Sequence, residues 1–182
     1  MPSGGTNFAP WPQGKATLLV RLETAYRAIE QTVSTLSYTQ LTVLQDQRGW
    51  TIKDHLAHLV VWEKGTVYLL QKLPRYAGLG IDKLTYLRHD GDKLNAILYE
   101  QTHSWSLDTV LAAFKRVHQD LALVLAGLSD DDLRQPYSHF QPDEPHEDGD
   151  APVLAWVADI AGHQKEHLGW IIHIASSTTL TN

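Results

Sequence analysis

Cysteine is absent from the 182-residue chain, which removes disulfide staples, thiolate zinc sites and cysteine nucleophiles together. Any metal site must be built from His, Asp, Glu, carbonyl oxygens and water. Long apolar runs are missing too, and no charged-then-apolar segment opens the chain. No membrane span or secretion signal is predicted, and the cytoplasm is the expected compartment. Excess positive charge is also lacking. Fifteen Lys and Arg face 21 Asp and Glu, a net charge of −6 with histidine neutral. No chain-wide basic field exists to attract nucleic acid or anionic lipid, so neither is expected as a partner. No stretch sustains the period-two alternation of a strand.

What remains is an ordinary globular composition, 43% hydrophobic and 20% charged, with ten histidines and six tryptophans. The length suits one domain, residues 1–182, with a sizeable core. Residues 1–13, with Gly4, Gly5, Pro10 and Pro12, read as a loose arm. Leu18, Leu22, Ala25, Tyr26, Ile29 and Val33 then recur at helical spacing to about Thr35. A second helix opens at Thr51, with Asp54 placed to complete a capping box. Its apolar face is Ile52, Leu56, Leu59, Val60, Val67 and Leu70. Shorter helical pieces follow, with Leu94, Ile97 and Leu98 on one of them. A long third helix, capped by Ser106, carries Val110, Phe114, Val117, Leu121 and Leu125 and closes at Gly127. The phrase Leu128–Leu133 echoes Leu36–Leu41; each follows a long helix and precedes a His-bearing one. Residues 135–152 form an acidic, Pro-rich loop. The fourth helix starts at Pro152, with Leu154, Val157, Ile160, Leu168, Ile171 and Ile172 along one side. The expected fold is all-α: a four-helix bundle with short extra helical segments between helices 2 and 3.

The chemistry concentrates on two of these helices. His163 and His167 stand at i and i+4, so their rings lie about 40° apart and one turn apart. That spacing suits a pair of metal ligands. In a bundle, His58 or His55 on the second helix can supply a third. Three imidazoles leave open positions on a divalent transition metal, and zinc, nickel and iron all accept them. The alternative is a polar histidine cluster without metal. Glu63 falls on the apolar face of the second helix, where a carboxylate must be paired, neutral or bound. Glu63 and Glu166 are the candidate bases or ligand-supporting carboxylates. Trp62, Tyr99 and Trp170, with His55, are the candidate pocket walls. His103, His118 and His173 are expected in surface or packing roles.

The stretch Trp50-Thr51-Ile52-Lys53-Asp54, followed by Leu56 to Glu63, resembles the second-helix signature of the DinB-like superfamily. There a Trp precedes the ligand His by eight residues, as Trp50 precedes His58. His163 and His167 match that superfamily's fourth-helix His-x-x-x-His. Four further stretches are similar to its ClbS/DfsB branch, the colibactin self-resistance protein family. They are Asp92–Asn95 with Tyr99-Glu100, Ser106–Val110, Leu128–Leu133, and Gly162-His163 through Trp170-Ile171. The resemblance implies an up-down-down-up bundle with His58, His163 and His167 as the ligand set and His55 outside it. It also implies a metal-dependent hydrolase or thiol transferase acting on a small electrophile, with a low-molecular-weight thiol as a possible partner. The alternatives are a metal-free protective protein that hydrolyses or sequesters a reactive toxin, and a non-catalytic bundle that forms a homodimer. The acidic loop has no counterpart in the branch.

Overall fold

The computed structural model describes residues 12–144 and 151–177, and among them all regular structure is helical. The expected arm lies almost wholly outside these residues. Helix α1, Lys15–Ser34, buries Leu18, Leu22, Tyr26, Ile29 and Val33, the stripe its sequence predicts. Helix α2, Tyr38–Thr42, is a short element closed by a capping box between Ser37 and Gln40. A tight turn at residues 46–49 leads into α3, Ile52–Leu70, which starts at the predicted Thr51–Asp54 capping box. Fifteen of the nineteen residues of α3 are buried, which makes it the central helix. The chain leaves it through Lys72, whose φ of 58° is left-handed.

Three further helices separate α3 from the next long one: α4 Arg75–Gly78, α5 Lys83–Arg88 and α6 Gly91–Thr102. Gly78 lets α4 press directly on α3. A Cβ there would come within 2.9 Å of the Gly65 Cα and the Lys64 carbonyl oxygen, so backbone contact fixes the position of Arg75 above α3. Helix α7, Leu107–Ala126, follows its Ser106 cap. Helix α8, Asp130–Arg134, repeats the device of α2 with a Ser129–Asp132 capping box. The two echoing phrases therefore fold alike. The acidic segment expected as a loop contains one more short helix, α9, Tyr137–Phe140, with both terminal aromatics buried. Its two ends are tied together, the Val153 N–H donating to the Gln135 carbonyl at 2.8 Å. Residues 145–150 of that segment lie outside the described residues. Helix α10, Val153–Ser176, completes the set.

The long helices α1, α3, α7 and α10 form the bundle, with α3 packed on α7 and α10, and α10 on α1. Three side-chain bonds between helix ends give the directions. Lys15 at the start of α1 donates to the Ala126 carbonyl at the end of α7, at 3.0 Å. Lys53 at the start of α3 donates to the His103 carbonyl just before α7. Gln40, just beyond α1, donates to the Ala175 carbonyl at the end of α10, at 3.3 Å. Helices α3 and α7 thus run together against α1 and α10, the up-down-down-up order that the resemblance implies. One detail of the sequence reading changes. Ile172 is 49% exposed, and Gln164 and His167 take inward positions on α10 instead. The inward face of a 3.6-residue period runs through Val157, Gln164, His167, Ile171 and Ile174, so two polar side chains enter the core.

Candidate metal centre

Antiparallel α3 and α10 face each other along a seam of aromatic and imidazole rungs. His55 and His167 approach at 3.0 Å between Nδ1 atoms. His58 and His163 approach at 3.0 Å between Nε2 atoms. The rings of His58 and His167 also stack, 4.8 Å apart and 21° from parallel. One donor nitrogen from each of His58, His163 and His167 can be chosen so that all lie within 4.8 Å of one another. Sequence spacing predicts two of these residues as a pair, and the fold brings the third to them.

Burial decides the charge of the cluster. His55, His58 and His167 are 0%, 6% and 2% exposed. Desolvation pushes His55 and His163 down to about 4. Burial first, then the neighbouring imidazoles, holds His58 and His167 well below the ordinary histidine range. All four rings are therefore neutral at pH 7, the form that ligates a metal without first losing a proton.

His55 has a second function in the geometry. Its Nε2 lies 3.4 Å from the Asp46 carboxylate, while its Nδ1 meets His167. Asp46 is held in turn by the backbone: its Oδ1 accepts from the Arg48 N–H at 2.8 Å and the Trp50 N–H at 2.9 Å. Gly49, with φ of 84°, allows the turn that aims both donors at it. Burial opposes the charge on Asp46, but these bonds and Arg48 hold its carboxyl below the usual range. Asp46, His55 and His167 thus stand in a row, the carboxylate facing His55 Nε2 at 3.4 Å without a closed hydrogen bond, and the His55 contact takes up His167 Nδ1 and leaves its Nε2 for a ligand.

The predicted pocket residues surround the cluster. Trp170 lies 4.6 Å from His167 and 5.5 Å from His55, ring to ring. Trp62 lies 6.1 Å from His58, with its indole N–H on Asn95 of α6 at 3.0 Å. Tyr99 reaches the site through Trp50, on which it stacks at 5.3 Å. Trp50 itself contacts both His55 and His58, and the Arg48 guanidinium lies over Trp50 and Trp170. The sequence reading missed Asp46, Arg48 and Trp50 as site residues. Asp46-x-x-Gly49 has the pattern of a tight turn, but only the fold shows what that turn faces.

The two candidate carboxylates sit apart from the histidine cluster. Glu63 is 2% exposed. It accepts from Gln164 Nε2 at 3.0 Å and lies 3.8 Å from His118 Nδ1, and among the described residues no Lys or Arg bridges it. His118 continues outward to Glu23 at 2.9 Å and stacks on Tyr26 at 3.9 Å. Each long helix thus gives one polar residue to a chain of four: Glu23, His118, Glu63 and Gln164. His118 was expected in a packing role and also carries this polar connection. Glu166 is exposed on α10, and among the described residues no bond joins it to the histidines.

These features define an all-helical bundle with a buried imidazole cluster between its second and fourth long helices. The sequence profile of the DinB superfamily matches residues 21–171, and the chain belongs to that superfamily. No curated protein matches it in sequence. Among solved structures, an uncharacterised protein of Clostridium difficile 630 superposes with a TM-score of 0.73 at 12% identity, covering 93% of this chain and 99% of that one. The colibactin self-resistance protein ClbS, solved in complex with double-stranded DNA, gives 0.68 at 13% identity over 94% and 99%. DfsB, described as a sibling lethal factor precursor, gives 0.69 at 16% identity over 93% and 99%. These likenesses establish the fold. No described helix is long and apolar enough to cross a membrane.

Proposed function

We propose that His58, His163 and His167 hold a divalent transition metal, zinc, nickel or iron, in an enzyme acting on a small electrophilic molecule. The observation that carries this reading is the convergence of three neutral, desolvated imidazoles within 4.8 Å from two helices. The donor set fits such an ion. It carries no charge to be neutralised, it is borderline-soft, and it leaves coordination positions for water or substrate. When bound, the metal supplies an acidified water or a coordinated thiolate at neutral pH, hence a hydrolase or a thiol transferase using a low-molecular-weight thiol. The protein's own part is orientation and exclusion of water. Asp46 and His55 fix the His167 ring, while Trp50, Trp62 and Trp170 wall the rings from solvent.

The test is elemental mass spectrometry of untagged protein beside a His163→Ala, His167→Ala double variant. About one equivalent of transition metal, lost in the variant, is expected. No metal even after incubation with zinc or nickel would sink the reading.

A metal-free protective protein is the second reading, because each ring nitrogen in the 3.0 Å His55–His167 and His58–His163 contacts already has an imidazole partner. The fold shared with the colibactin self-resistance protein is compatible with it. Consumption of an activated electrophile by metal-free protein, abolished by His58→Phe, is its expected result. The DNA belongs to the ClbS structure; with −6 net charge, a small molecule is the partner proposed here.

A further inference from the structure

The seam of α3 and α10 does not end at the histidines. Beyond His58 and His163 comes one more aromatic rung, Trp62 on α3 and Trp156 on α10, and the Arg75 guanidinium lies against both. Its Cζ stands 5.4 Å from the Trp62 ring centre and 5.8 Å from that of Trp156. Trp156 precedes His163 by seven residues, two helical turns, so the two share a face of α10. On the α3 side Arg75 lies against Trp62, whose ring centre is 6.1 Å from that of His58, so Trp62 touches both the guanidinium and the histidine cluster.

Arg75 has no carboxylate within ion-pairing distance among the described residues. Its Nε is buried without a hydrogen-bond partner. Two phenols, Tyr86 and Tyr137, are its hydrogen-bonding neighbours, and Tyr137 donates in turn to the buried Glu144 carboxylate at 2.9 Å, so the nearest acid is reached through a phenol rather than paired directly. Asp159, one turn on from Trp156, feels its charge but makes no ion pair with it. A guanidinium in such surroundings is anomalous, since a desolvated cation normally keeps a paired anion. Burial opposes its charge, yet the nearby phenols leave it firmly protonated. Trp62, Arg75, Trp156 and His163 are each only partly buried, so this rung meets solvent where the inner rungs do not.

We propose that Arg75, held between Trp62 and Trp156, is the anion-binding subsite of this centre and takes a carboxylate borne by the substrate. The planar fork of a guanidinium matches a carboxylate's two oxygens. The flanking indoles would cover a planar or aromatic group attached to it. The substrate class becomes a small electrophile with a carboxylate placed one indole width from its reacting atom. This assignment rests on the histidines being the active centre, so the two must be tested separately.

The probes are benzoate, its uncharged isostere benzamide, and inorganic phosphate, titrated calorimetrically into metal-free and zinc-loaded full-length protein. Benzoate is expected to bind both forms, and benzamide at least about tenfold more weakly, the weight of a charge-assisted hydrogen bond. Arg75→Gln should reduce benzoate affinity by the same factor while its metal content stays at the wild-type level. Equal binding of acid and amide, or no binding of benzoate, overturns the proposal. So does benzoate binding that requires zinc and survives Arg75→Gln, because the acid has then gone to the metal. Phosphate binding tighter than benzoate overturns the carboxylate assignment. The acid–amide comparison uses the unaltered protein, so a variant that fails to fold leaves it decisive. Metal content measured on the same samples reports on the metal centre independently of Arg75.

Discussion

Gln164 Nε2 donates to Glu63 Oε2 at 3.0 Å across the α3–α10 seam, and each residue directly follows a side chain of the cluster's own seam, Trp62 and His163. Glu63 thus points from the same helices into a different space, toward His118 on α7. Removing the carboxylate leaves Gln164 and His118 facing an uncompensated cavity. Glu63→Ala should destabilise the protein by about 2–4 kcal/mol, read from urea midpoints. Glu63→Gln keeps the shape and an acceptor and should cost about 1 kcal/mol. Both should retain the wild-type metal content. A Glu63→Gln protein that folds normally but loses its metal would show that the carboxylate acts on the centre itself.

Acid should unfold the metal-free protein through its histidines. A buried neutral ring keeps its folded pKa below the unfolded value near 6.5, so its stabilisation is present above pH 6.5 and lost as pH falls. For His55 and His163 the loss continues to their folded values of about 4. Each such group removes about 1.4 kcal/mol of stability per pH unit across that window. The urea midpoint should fall steeply between pH 6.5 and 4.5, and less steeply in His163→Asn. A midpoint flat across that range would mean that the rings take up protons in the fold as readily as in the unfolded chain.

His118 has the opposite sign. Burial disfavours its charge, but the Glu63 carboxylate 3.8 Å away and the hydrogen bond to Glu23 together outweigh burial and raise its pKa. Its stabilising share is complete below pH 6.5 and disappears as pH rises through the raised value. The stability gap between wild type and His118→Gln should therefore narrow from pH 6 to pH 8.5. Glu23 is about half exposed, so solvent screening keeps its part of that change under about 1 kcal/mol.

What the sequence made legible follows the range of the signal. The stripes of α1, α3 and α7 and the Thr51–Asp54 box are local patterns, and they lie where their spacing puts them. The i, i+4 pair His163 and His167 is equally local, and the second-helix signature brought His58 to it. Glu63 was recognisable as an anomaly on an apolar face, but its partner Gln164 lies on another helix and has no charge to announce it. Arg75 and Asp46 were invisible for the same reason. Each stands in a connecting segment, and its meaning comes from a helix more than eighty residues further along the chain, at Trp156 for Arg75 and His167 for Asp46. Periodicity fixes which face a residue occupies, not what a turn will press against it.

The Asp46 carboxylate offers the sharpest separation of support from ligation. It does not reach the proposed metal position; it holds His55, which holds His167. Asp46→Asn keeps the turn, because an amide oxygen can still accept from the Arg48 and Trp50 N–H groups. It removes the negative charge that polarises His55 Nε2. Metal affinity should fall about 10- to 100-fold, the usual cost of losing such outer support, while the melting temperature of the metal-free protein changes little. His55→Phe should have a comparable effect on affinity, and combining the two should add almost nothing, since both break one chain. Competition with a chromogenic zinc chelator measures all three. If the two losses multiply, Asp46 and His55 act on the centre by separate routes and the chain from carboxylate to His167 does not exist.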